Sequence, residues 1–80
     1  MKYRCRDEII NIILQTVMTG ATRHKIMFEA SISSEQAEEY LLFLQARELI
    51  CVTGKRAYKI TEKGNVYLSK SNELNELLIQ

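Results

Sequence analysis

Eighty residues bound the chain to one small domain, near the lower end of lengths that bury an independent core. Apolar residues at 46% and charged residues at 26% suit a folded globule and argue against a disordered tail. No apolar run approaches the ~20 residues of a bilayer span and no signal-peptide pattern follows Met1, so a cytoplasmic protein with no membrane partner is expected.

The net charge of +1 conceals an uneven layout. Residues 1–30 carry net +2, residues 31–50 net −3 and residues 51–70 net +4, and two further glutamates follow. A basic patch, an acidic segment and a second basic patch succeed one another. For a binding protein that distribution matters more than the total.

The first helix is predicted from Ile9, Ile10, Ile13, Leu14 and Val17, which recur at helical spacing behind Asp7 and Glu8 in the first turn. Gly20 stops it. Thr22 can cap a short second helix whose inward side is Ile26, Met27 and Ala30. After the link Ser31-Ile32-Ser33, the pair Ser33 and Gln36 fits a capping box. On the third helix Ala37, Tyr40, Leu41 and Leu44 then fall on one side. Two helices joined by a tight turn make a helix-turn-helix pattern over about residues 22–47.

"LICVTGKRAYKI" reads as a hairpin over about residues 50–60, turning at Thr53-Gly54-Lys55-Arg56. Ile50 and Val52 alternate on one strand, Tyr58 and Ile60 on the other, and Gly54 is expected to supply the turn conformation. A last helix, about residues 61–79, starts at Thr61. Its apolar positions are Val66, Tyr67, Leu68, Leu74, Leu77 and Leu78. Three helices, a basic hairpin and a closing helix predict a mainly α, single-domain winged helix-turn-helix fold with a small β-hairpin.

The segments "RDEIINIIL", "GATRHKIMFEASIS", "YLLFLQARELI" and "YKITEKGNVYL" resemble successive parts of the small archaeal winged-helix transcriptional regulators. The most telling pieces are Gly20-Ala21-Thr22 with Ile26-Met27, and Thr61-Glu62-Lys63-Gly64. The resemblance implies a DNA-binding regulator, often a dimer joined through its C-terminal helix. One departure stands out. Relatives usually carry lysines or other DNA-compatible side chains on the exposed side of the third helix; here that side shows Glu35, Glu39, Leu42 and Ala46, flanked by Glu38, Gln36 and Phe43.

Candidate DNA contacts follow from charge and position. Lys55, Arg56 and Lys59 on the hairpin suit a phosphate run or a minor groove, although lysines also blunt edge strands. Arg23, His24 and Lys25 open the second helix, where phosphate contacts and a solvated first turn are the competing accounts. Ser33, Ser34 and Gln36 stand at the third helix's start. Ser34 and Gln36 can hydrogen-bond bases without adding charge, whereas both serines also serve as caps. A glutamate near phosphate opposes binding, although it can accept from a cytosine amino group.

Tyr67, Leu74, Leu77 and Leu78 form an apolar stripe that suits pairing with a second copy; folding back on the first helix is the alternative. Leu42 and Phe43, if both exposed, would instead favour a protein partner and an interaction module with weak DNA binding. More simply, Phe43 tucks against the second helix or the N-terminal arm, near Tyr3. Neither His24 nor the serines have partners arranged for catalysis, so no enzyme, cofactor or metal is expected. Cys5 and Cys51 follow no metal spacing. Cys51, in an apolar strand, is expected to be buried, and Cys5 more accessible.

Overall fold

The computed structural model describes residues 6–54 and 56–79, with side chains described up to residue 70. Helix α1 (Arg6–Thr16) leads through a 3₁₀ turn (Val17–Thr19) to a short strand β1 (Ala21–Thr22), helix α2 (Arg23–Ala30) and helix α3 (Ser34–Ala46). Strands β2 (Ile50–Val52) and β3 (Ala57–Ile60) form the hairpin, and helix α4 (Glu62–Ile79) closes the chain. The fold is a mainly helical winged helix-turn-helix.

The helix boundaries follow from local chemistry. Gly20, at φ +90°, ends the first helical run, and its N–H donates to the Val17 carbonyl at 3.1 Å. Thr22 caps α2, its hydroxyl accepting from the Lys25 N–H at 3.3 Å. Ser33 and Gln36 form the expected box: the Gln36 N–H donates to Ser33 Oγ at 3.2 Å, and the Ser33 N–H to Gln36 Oε1 at 3.0 Å. The turn between these helices has no glycine, so Ser31 takes the left-handed conformation at φ +55°. Glu48, at φ +61°, does the same after α3, where the Leu49 N–H returns to the Leu44 carbonyl at 2.9 Å.

The core is drawn from every helix. Ile13, Leu14, Val17, Ile26, Leu41 and Leu44 are its largest fully buried side chains. Leu68 brings α4 into the same cluster. Burying side chains of this size stabilises by about 1.5–3 kcal/mol each, which offsets the ordering entropy of so short a chain.

Three strands form the sheet, in the order β1-β3-β2 and antiparallel throughout. The register sets Ile50 opposite Ile60, Cys51 opposite Lys59 and Val52 opposite Tyr58. Since opposed residues share a face, Ile50 and Ile60 point into the core while Cys51 and Lys59 point away. Cys51 is therefore exposed, which corrects the expectation of a buried thiol. Its strand is an edge with one solvent face, and alternation puts Cys51 on that face. Val52 returns to the inner face but remains 52% exposed, at the end of the edge strand. Gly54 is also corrected: the left-handed turn residue is Arg56, at φ +57°, and Gly20 is the glycine with positive φ.

Helix α4 is fixed at its start by Thr61. Its hydroxyl accepts from the Gly64 N–H at 3.0 Å and donates to the Glu48 carbonyl at 2.6 Å. Its own N–H reaches the Leu49 carbonyl at 3.0 Å. Gly64 is buried against that segment, where a Cβ would overlap the Leu49 carbonyl oxygen and come within 2.7 Å of Ile60 Cγ1. The glycine permits close approach.

Candidate nucleic-acid interface

Two recesses lie where the start of α2 meets the hairpin. One, of about 580 Å³, is lined by Arg23 and His24 from α2 and by Val52, Arg56 and Tyr58 from the wing. The other, of about 700 Å³, sets Lys25 of α2 across from Thr53, Gly54 and Lys59. The sheet pairing causes this. Strand β1 runs directly into α2 and pairs with β3, Thr22 opposite Ala57, so the hairpin is held beside the first turn of α2. Basic groups of α2 and of the wing, far apart in sequence, thereby line the two recesses.

His24, Lys25, Arg56 and Lys59 are exposed there. Lys55 lies outside the described residues. Arg23 is half-buried, and its guanidinium donates from Nη2 to the Ser34 carbonyl at 2.8 Å and to Ser34 Oγ at 2.9 Å. It thus ties the start of α2 to the start of α3. The Ser34 hydroxyl, accepting from Arg23, keeps its own hydrogen available as a donor. Ser33 and the Gln36 carbonyl are engaged in capping, and the Gln36 amide N–H groups remain available. The polar groups singled out at the start of α3 serve its geometry first.

The outer side of α3 is as acidic as its spacing predicts, with Glu35, Glu38 and Glu39 exposed alongside Ala46. Leu42 is 60% exposed, but Phe43 is not its companion. Phe43 is half-buried against the core, and the guanidinium carbons of Arg6 and Arg47 lie 4.7 and 5.0 Å from its ring centre. Adjacent helical residues diverge by about 100°. The two side chains therefore form no joint apolar patch. Phe28 on α2, 80% exposed, was not singled out by periodicity, which marks inward positions and is silent on an outward aromatic. Tyr67 on α4 is 38% exposed, while the Leu74, Leu77 and Leu78 side chains lie outside the described residues.

A helix-turn-helix followed by a two-stranded wing defines the winged-helix class. The winged helix-turn-helix family matches residues 3–78, and the chain belongs to that family. Among solved structures it is similar to Sso10a-2, described as a DNA-binding protein from Sulfolobus solfataricus. The TM-score is 0.78 at 24% identity, over 95% of this chain and 86% of that one. Such a likeness speaks for a shared fold. No curated protein matches the chain. No helix among the described residues is long and apolar enough to cross a membrane.

Proposed function

We propose that this protein binds duplex DNA as a homodimer in the cytoplasm and regulates transcription, acting through its basic flanks more than through α3. The observation that carries this reading is the convergence of Arg23, His24 and Arg56 in one recess, with Lys25 and Lys59 around the other. Phosphate neutralisation supplies most nonspecific affinity, and these groups can supply it. Membership of the winged helix-turn-helix family and the likeness to a DNA-binding protein of Sulfolobus solfataricus support the same reading.

Salt-dependent titration against random and genomic duplexes tests it. Lys55→Ala and Arg56→Ala should each weaken binding across sequences and lower the salt slope by roughly one. Ser34 and Gln36 are the groups proposed to touch bases, so changing them should alter sequence preference and leave that slope intact. A double wing variant that binds like the parent would sink the flank-driven account.

A second reading, a protein-interaction module, is favoured by one observation: the exposed side of α3 presents Glu35, Glu38 and Glu39 beside Leu42. Failure of the unmodified chain to bind any duplex at low salt would select it.

A further inference from the structure

A third cleft, of about 350 Å³, opens where the start of α1, the end of α3 and the first turns of α4 meet. It shares no lining residue with the two recesses beside the wing. Its floor is apolar, made by buried Ile10 and Leu49. Phe43 and Tyr67 give it aromatic walls. Around them stand Arg6, Arg47 and Lys63, each from a different part of the fold and all exposed. Among the described residues, Asp7 is the one carboxylate in the lining.

The two arginines are held rather than free. Their guanidinium carbons lie 4.7 and 5.0 Å from the Phe43 ring centre, and Arg6 also approaches the Tyr40 ring at 5.8 Å. Stacking on a ring fixes a guanidinium without neutralising it, and it leaves the N–H edge free to donate. Two such groups and a lysine line one cleft beside an apolar wall and give it a positive lining. Lys63 lines the same cleft from α4. A carboxylate or phosphate answers the donors, since Arg binds such anions in a fork. The floor answers a flat apolar body, and the volume is near the lower end for small-molecule sites.

We propose that this cleft binds a small organic anion in which a flat aromatic body carries one carboxylate or phosphate. The site uses none of the residues proposed to contact DNA, and it shares Tyr67 with the α4 stripe proposed to pair two copies.

Calorimetric titration of the full chain with 2-naphthoate and with adenosine monophosphate represents the two anion types. Either probe should bind at least tenfold more tightly than its uncharged counterpart, 2-naphthamide or adenosine. It should also exceed its non-aromatic counterpart, acetate or inorganic phosphate, by a similar factor. Arg47→Gln and Lys63→Gln should each lower that affinity about tenfold with an unchanged melting temperature, while Lys59→Gln, outside the cleft, should leave it intact. Equal binding of charged and uncharged probes, no binding of either anion at millimolar concentration, or indifference to Lys63→Gln would each overturn the site. So would displacement of the probe by a saturating duplex together with weaker duplex binding by Lys63→Gln, because the cations would then belong to the DNA surface.

Discussion

Gly64 shows how one residue sets the approach of two elements. Alanine favours a helix over glycine by about 1 kcal/mol, so propensity alone predicts that Gly64→Ala stabilises α4. The contact geometry argues the opposite, because the added methyl meets a backbone carbonyl at Leu49, which cannot rotate away. Overpacking of this kind costs about 1–3 kcal/mol, and here the obstacle is rigid. The net effect should be destabilising, visible as a melting temperature lowered by about 4 °C or more. A rise in melting temperature would mean that α4 shifts at little cost. The motif Thr61-Glu62-Lys63-Gly64 was legible as a helix entry, but the closeness of Leu49 was not, because it depends on a carbonyl twelve to fifteen residues upstream. Cys51 was misread for a related reason. Its neighbours in sequence are apolar, and the side it faces is set by pairing with Lys59.

Among the elements, the helix starts were legible, because caps and periodicity are local signals. Ser33 and Gln36 form their box as spacing predicts, and Ile13, Leu14, Leu41 and Leu44 are buried as periodicity predicts. Strand β1 was not legible. Two residues have no period, and Ala21 and Thr22 become a strand only because β3 lies beside them. That missed strand is what brings the wing to α2 and assembles the candidate DNA surface. The bond from Arg23 to Ser34 was equally hidden, since eleven residues separate its ends. For α3 the sequence raised a conflict that the fold sharpens: Glu35 and Glu39 stand exposed on the side that a winged helix turns toward DNA. Each carboxylate near phosphate opposes association. Glu35→Lys and Glu39→Lys should therefore tighten nonspecific duplex binding and steepen its salt dependence by roughly one ion for each lysine that reaches a phosphate. Unchanged affinity and slope in both variants would mean that α3 lies away from the duplex.

At the scale of the whole molecule, the question is what α4 does beyond the core. Its 18 residues run from Glu62 to Ile79, and Leu68 is the position that enters the core cluster. Tyr67 lies about 100° away around the helix and is partly exposed. In the sequence Leu74 follows Tyr67 by seven residues, and Leu77 and Leu78 extend the pattern. We propose that this spacing serves pairing with a second copy. Two-fold pairing would also double the basic flanks along one duplex, making up for an α3 that adds no cations on its exposed side. The full chain should sediment as a dimer at micromolar concentration. Leu74→Arg with Leu78→Arg should weaken that dimer at least about 100-fold, or about 2.7 kcal/mol, while the helical circular dichroism of the core persists. DNA affinity should fall with it, since two half-sites bound by one dimer act as a linked pair. If the unmodified chain remains monomeric across concentration, α4 has another partner and the linked-pair account of DNA affinity fails with it.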